Sequence, residues 1–458
     1  MPNTFAYAAL LIWPFVTLVI FASMRLERAV IISLLAGYLL LPAKTSFDFP
    51  GVPALDKTSV ANLATYGAAI IYTGGRSLRM PREWWLTLLM VIYLASPVLT
   101  ILTNKDTLLF GDLILPGLQP YDAFSASAYK AIDLIPFLLG YNFVRTSTAQ
   151  SEFIRLLVIA ALAYSILMLI EIRLSPQLHA WVYGFFPHSF EQQIRGDGFR
   201  PVVFLGHGLV VAIFAAMATT AAGFLARERI PIFGISSSLW LAYLLAILVL
   251  CKSLGALLLA MVGVIIIGIG GRKVLQVTGI LSALLVLTYP ALRGADWVPV
   301  QMIADQVAEY SGQRADSLQT RIDNEEQLLA RASQRPWFGW GGYGRNRVFD
   351  DETGRDLSIT DGTWIIIVGT NGWIGYFASF GLLCIPIIQS ARKKNLETIP
   401  RDALTIILAI NLIDLLPNSS LSPLTWLLAG AIIPVPMKKI KIKAFGLHKA
   451  VSVHKNKI

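Results

Sequence analysis

Between Arg293 and Asp361 the chain carries eight arginines and no lysine: Arg293, Arg314, Arg321, Arg331, Arg335, Arg345, Arg347 and Arg355. A guanidinium fork matches the oxygens of phosphate or carboxylate in pairs and keeps its charge at any physiological pH, so such a set suits a diphosphate that must be gripped and released. The last 21 residues reverse the choice, with seven lysines and no arginine, which supplies charge without planar geometry. Two more arginines, Arg195 and Arg200, stand in RGDGFRPVVFLGHG. Arginines of this kind also have a structural use. The segment holds eleven acidic residues besides Asp361, and arginine-carboxylate pairs would tie its helices together.

Two further side chains complete the candidates. His207 follows Arg200 by seven residues, with Gly206 and Gly208 beside it. It reads as lying about two turns into an apolar span, where a histidine either hydrogen-bonds between helices or serves as a base. Asp361 opens ITDGTWIIIVGTNGWIGY. There it either caps a helix or, beside an arginine, accepts a proton from an incoming hydroxyl. An ordinary aspartate is a weak base; partial burial strengthens it, and neighbouring Trp364 would supply that burial. Lys130 and Asp133, one turn apart, read as a structural ion pair. Glu171, Lys252 and Asp414 read as span-end side chains that snorkel.

The elements that must position these residues are membrane spans. The chain is 55% apolar and 14% charged with a mean hydropathy of +0.63, whereas soluble domains are about 25% charged. The expected fold is an all-α polytopic membrane protein with about 12–13 transmembrane helices and one large, partly helical external loop. Thirteen spans are read near residues 5–23, 29–43, 59–74, 84–103, 125–144, 153–172, 201–225, 234–251, 254–270, 274–291, 363–389, 402–416 and 420–435. Alternate connections hold Arg25 and Arg28; Arg76, Arg79 and Arg82; Arg145 and Arg155; Arg227 and Arg229; Arg272 and Lys273; and Arg392, Lys393, Lys394 and Arg401. All fall on one side with the lysine tail, so that side is expected to be cytoplasmic and the N-terminus outside.

The chain divides accordingly into residues 1–200 with six spans, a central block 201–291 with four, the large loop 292–362, C-terminal spans 363–437 and the basic tail 438–458. The start, MPNTFAYAALLIWPFVTLVIFA, lacks a basic n-region and reads as a retained span. The net charge of +10 is then mostly the positive-inside signal. That excludes a nucleic-acid partner and leaves lipid headgroups for the tail. Cys251 and Cys384 lie in apolar runs and make neither a disulfide framework nor a zinc site. Of the four longer external segments, those near 44–58 and 104–124 carry few positive charges and receive no function. The one near 173–200 leads through Arg195 and Arg200 into the central block.

In the large loop, Ile303, Val307 and Tyr310, then Leu318, Ile322 and Leu329, recur at helical spacing. One or two amphipathic helices are expected, broken near Ser311 and Gly312, with Glu325 one turn beyond Arg321 at i+4. The stretch PWFGWGGYG, residues 336–344, requires a backbone that turns tightly beside aromatic rings.

At these residues the chain resembles the O-antigen ligase and O-antigen polymerase superfamily of bacterial membrane proteins. The family pattern begins with an arginine at the entry to a central span and a small, aromatic, His-containing stretch, matched by Arg200 to His207. It continues with a helical arginine ahead of a Pro, Gly, Gly turn, matched by Arg321 in SLQTRIDNEEQLLARASQ and by Pro336, Gly339 and Gly341. The family histidine that precedes two glycines of the next span falls on Asp361 here, counted back from Gly372 and Gly375. The match covers residues 195–435.

The resemblance implies an enzyme of the cytoplasmic (inner) membrane that uses polyprenyl-diphosphate-linked glycans at the outer face, without metal or cofactor, by inverting glycosyl transfer. Arg200 and Arg321 would stabilise the leaving diphosphate, and Asp361 would orient or deprotonate the acceptor. Arg195, His207, Arg335 and Arg345 would contact substrate. The absence of the ligase histidine favours a polymerase of exopolysaccharide, capsule or O-antigen, with a ligase as the alternative. Partners would be the glycan donor and acceptor, membrane lipids and other envelope polysaccharide assembly proteins. Two competing classes are a lipid-linked oligosaccharide transporter, which predicts broken helices and a charged central cavity, and a structural subunit of an envelope assembly.

Overall fold

Apolar runs bounded by charged or glycine-containing breaks become helices because, away from water, the intrahelical ladder satisfies every backbone group within one segment. The computed structural model describes residues 1–49, 52–75, 78–196, 198–302, 305–306, 312–392 and 399–434, and the described residues are 68% helical. The helices are α1 (Thr4–Ser23), α2 (Leu26–Leu40), α3 (Lys57–Thr73), α4 (Trp84–Leu102), α5 (Pro120–Phe143), α6 (Ser147–Leu174), a short α7 (Leu178–Tyr183), α8 (Gly208–Arg227), α9 (Ser237–Leu250), α10 (Leu254–Ile269), α11 (Arg272–Gly294), α12 (Gly312–Ser333), α13 (Thr363–Arg392), α14 (Ile399–Asp414) and α15 (Pro423–Ala431). Three antiparallel hairpins lie between them: β1 (Ser46–Phe47) with β2 (Leu55–Asp56), β3 (Leu108–Phe110) with β4 (Leu113–Leu115), and β5 (Ile194–Arg195) with β6 (Gly198–Phe199).

Among the described residues six helices, α1, α4, α6, α8, α11 and α13, are long and apolar enough to cross a membrane. The protein is therefore a multi-pass helical membrane protein. Phe15 and Val19 of α1 and Leu258, Val262 and Ile265 of α10 are exposed, a pattern that suits lipid and not water. The centre is α8, whose sequence AIFAAMATTAAG presents small side chains that let neighbouring backbones approach closely. Of its most apolar stretch 83% is buried, against 28% for α1, and it packs on α6, α9, α10 and α14.

Four expectations change. The span expected at 201–225 begins as helix only at Gly208, so His207 is its N-cap and does not lie two turns inside. The last span is short: α15 has nine residues, all buried. Lys130 donates to the Ser96 hydroxyl at 2.8 Å and lies over the Tyr93 ring, in place of an ion pair with Asp133. Glu171 and Asp414 do not snorkel; both are buried. The helix expected after the break near Ser311 is α12, whereas Ile303, Val307, Tyr310 and the lysine tail lie outside the described residues.

The glycine-aromatic stretch finds its reason in α13, which is broken at Gly372 (φ 64°). The break frees the carbonyls of Gly369 and Thr370, which accept the N–H groups of Trp340 and Gly341 at 2.8 and 2.9 Å. In return the N–H groups of Trp373 and Ile374 reach the carbonyls of Pro336 and Trp337 at 2.7 and 3.3 Å. The 336–341 turn thus plugs the broken helix with backbone bonds, which pair these two carbonyls and two N–H groups. A Cβ on Gly372 would stand 2.3 Å from the Trp337 carbonyl carbon.

Ionic clamps fix the same region. Arg293 of α11, 3% exposed, grips Glu325 and Glu326 of α12 at 3.4 and 3.0 Å, and the Trp364 indole donates to Glu325 at 3.2 Å. Glu325 is thereby taken from Arg321, its expected i+4 neighbour.

Candidate functional site

The segment from Arg200 to His207 is apolar enough to be helix, yet polar groups from elsewhere hold it as an irregular run of turns. Glu171, at the end of α6, accepts the N–H groups of Val202 and Val203 at 2.7 and 2.8 Å, and that of Leu178 at 2.9 Å. The Tyr164 hydroxyl accepts from Phe204 N–H at 3.0 Å, and Gln193 accepts from Arg200 N–H and Gly208 N–H at 2.8 and 3.2 Å. Replacing Glu171 by leucine, which is nearly as large, leaves three buried N–H groups without an acceptor at about 1–3 kcal/mol each. The expected result is a lower melting temperature in detergent together with loss of function. Unchanged melting would show that the carboxylate is not what holds the segment.

This support aims Arg200 into a cavity. Its Nε and Nη2 both donate to the Lys252 carbonyl, at 3.2 and 3.1 Å. The Nη1 edge has no protein acceptor among the described residues. Lys252 in turn donates from Nζ to the Arg195 carbonyl at 2.9 Å, tying the β5–β6 hairpin to the α9–α10 connection. Arg321, on α12, arrives from the opposite side. Its Nη1 donates to the Pro417 carbonyl at 3.1 Å, and its Nε lies 3.5 Å from Asp361 Oδ2. The 415–420 connection that supplies Pro417 is fixed by Asp414, which accepts from Asn418 and Ser420 at 2.9 and 2.7 Å.

Two cavities meet at these arginines. One, about 1290 Å³, runs between α9, α10, α11 and the end of α14 and is lined mainly by apolar residues such as Leu248, Leu254, Leu257, Leu258 and Ile413. The other, about 700 Å³, is polar, and its lining includes Lys44, His188, His207, Arg347, Ser358 and Asp361. Arg195, Arg200, Leu209, Arg321 and Asn418 line both. Five of the seven residues singled out in the sequence, Arg195, Arg200, His207, Arg321 and Asp361, therefore converge.

Arg335 and Arg345 do not join them. Arg335 binds Asp106, at 2.8 Å, Asn104 and the Thr103 carbonyl. Arg345, 1% exposed, donates to the carbonyls of Asp106 and Pro116 at 3.0 and 2.9 Å. Both hold the 331–349 stretch onto the β3–β4 hairpin, which is the structural use that arginine type alone could not distinguish. Lys44 and His188 are additions that the sequence reading passed over; Arg347 also lines the polar cavity, but its charge is met by Asp356.

The electrostatics favour an anion. Burial, with Arg195 and Arg321 nearby, pushes the Arg200 pKa down to about 10, so it stays charged, and among the described residues it has no ion-pair partner. Burial and the surrounding cations push His207 down to about 4, so its imidazole is neutral. Its Nδ1 accepts the Leu209 N–H at 3.1 Å, which puts the ring proton on Nε2. His207 is thus a hydrogen-bond donor to the cavity and not a base. Asp361 is 43% exposed, and Trp364 turns inward to Glu325 instead of burying it. The Arg321–Asp361 pair is correspondingly weak, about 0–1 kcal/mol for an exposed pair, and a phosphate can displace it.

The chain matches no protein-family model, and comparison with curated proteins finds no relative.

Proposed function

We propose that this chain is a glycosyltransferase that joins repeat units carried on a polyprenyl diphosphate into a surface polysaccharide, at the outer face of a bacterial cytoplasmic membrane. The observation that carries the reading is the meeting of an apolar groove and a polar cavity at three arginines. A lipid-linked diphosphate glycan has the same order of parts: an apolar chain, two phosphates, then sugar. The isoprenoid lies along α9–α11, the diphosphate at Arg200 and Arg321 with Arg195 beside them, and the glycan in the polar cavity.

Transfer then proceeds by inversion. The bond between the anomeric carbon and the diphosphate oxygen breaks, the diphosphate keeps the bonding electrons, and the acceptor oxygen bonds to the opposite face. Arg200 and Arg321 stabilise the charge growing on the leaving group. The acceptor proton passes to Asp361, freed from Arg321 as the diphosphate takes that arginine. Aspartate in place of the ligase histidine favours polymerase over ligase. In this reading thirteen spans place the N-terminus outside, the C-terminus in the cytoplasm and α12 on the outer side, in reach of lipids and of other polysaccharide assembly proteins.

A transporter is the reading of another class, and the broken α13 is a feature it expects. Yet the freed backbone groups of that break are taken by the 336–341 turn, and the charged groups gather instead between the two cavities. The test is to supply purified protein with a synthetic polyprenyl-diphosphate oligosaccharide and follow product length and anomeric configuration. Longer products with inverted linkages are expected. Absence of elongation, with movement of the substrate across vesicles, would replace this reading by the transporter.

A further inference from the structure

The end of the polar cavity away from the apolar groove has its own chemistry. Lys44, His188 and His207 line only the polar cavity. The two imidazoles meet edge to face at 4.6 Å between centroids. His188 Nδ1 accepts the Ser189 N–H at 2.8 Å, as His207 Nδ1 accepts that of Leu209 at 3.1 Å. With both Nδ1 atoms used as acceptors, each neutral ring carries its proton on Nε2. Lys44 is a third donor, and no carboxylate lies within 4.0 Å of it among the described residues.

The lysine is deliberately placed. Ala43 N–H donates to His179 Nε2 at 3.2 Å, and His179 Nδ1 contacts the Phe185 carbonyl at 2.7 Å. This fixes the turn that carries Lys44, whose backbone is left-handed at φ 52°. A non-glycine residue holds that conformation only where its surroundings determine it.

We propose that Lys44, His188 and His207 form a subsite for an acidic group on the glycan, such as the carboxylate of a sugar acid. Three donors, none in an ion pair with a carboxylate among the described residues, select an anion, and because Lys44 and His188 line the polar cavity and not the apolar groove, that anion is assigned to the sugar and not to the diphosphate. The inference rests on the reading that glycan occupies the polar cavity, and it names the substrate class: repeat units bearing an acidic sugar.

The experiment uses the full-length protein in detergent with labelled histidines, titrated with methyl glucuronide, methyl glucoside or inorganic diphosphate while imidazole resonances are followed. The glucuronide is expected to shift His188 and His207 and the glucoside to leave them unmoved. Lys44→Gln should weaken glucuronide binding at least tenfold, Lys44→Arg should restore it, and Arg321→Lys should leave it within about twofold. The proposal is overturned by equal binding of the glucoside, by no binding of the glucuronide, or by indifference to Lys44→Gln. It is also overturned if diphosphate, and not glucuronide, depends on Lys44, which would make the cluster a second phosphate site. Glycan synthesis that survives loss of Arg200 and Arg321 would instead overturn the functional reading, whatever the binding result.

Discussion

Arg321→Lys and Arg200→Lys are each expected, on the proposed function, to leave a strain that lacks the native protein without long-chain surface glycan, a loss of about a hundredfold or more, the scale on which one preorganised donor to a developing oxyanion acts. Lysine keeps the charge but not the fork. At 321 an ammonium lacks the planar fork by which Nη1 holds Pro417 while Nε, now beside Asp361, and Nη2 would meet a phosphate in the proposed reading. At 200 it loses the paired bond to the Lys252 carbonyl, which sets the angle of the free edge. Arg335→Lys is the comparison: it lies off both cavities and keeps its Asp106 partner, so full glycan is expected. The readout is glycan chain length in strains where each variant is shown to be expressed and inserted. Full restoration by both site variants would remove the diphosphate assignment.

Gly372→Ala has the largest expected effect on stability. The backbone there, at φ 64° and ψ −170°, lies in a region essentially confined to glycine, which costs an alanine about 1–3 kcal/mol. The new methyl also stands 2.3 Å from the Trp337 backbone. That backbone cannot yield without withdrawing the turn that satisfies the broken helix, and each orphaned buried group adds about 1–3 kcal/mol. The variant is expected to lose several kcal/mol, seen as failure to run as a monodisperse species in detergent or as a much earlier melting transition. Gly255→Ala in α10, where an added methyl meets nothing within 4 Å, should leave melting unchanged. If Gly372→Ala melts with the native protein, the plugging of α13 is not a source of stability.

The apolar periodicity made the spans readable, because membrane solvent imposes one rule on every segment. The same rule hid the true start of α8. Val202, Val203, Phe204 and Leu205 are as apolar as the helix they precede, and what keeps them out of a helix is Glu171 and Tyr164, at least 31 residues away in sequence. The site was half readable for a related reason. Arg200 and Asp361 stand just ahead of spans, where local sequence marks them, and Arg321 lies midway along the amphipathic α12. Arg335 and Arg345 have the same composition, and only partners such as Asp106, more than 200 residues earlier, show that they clamp. Lys44 and His188 belong to connections without periodicity, and only the fold brings them to His207.

Arg321 takes its carbonyl partner from Pro417, 96 residues later. During synthesis, therefore, the arginine leaves the ribosome well before the connection that aims it. The earlier spans and both histidines can be in place while Arg321 still lacks the carbonyl that orients it. A nascent chain halted before Pro417 would carry every candidate catalytic residue and still lack the carbonyl that aims Arg321, so in the proposed reading activity waits on insertion of α14 and the connection after it.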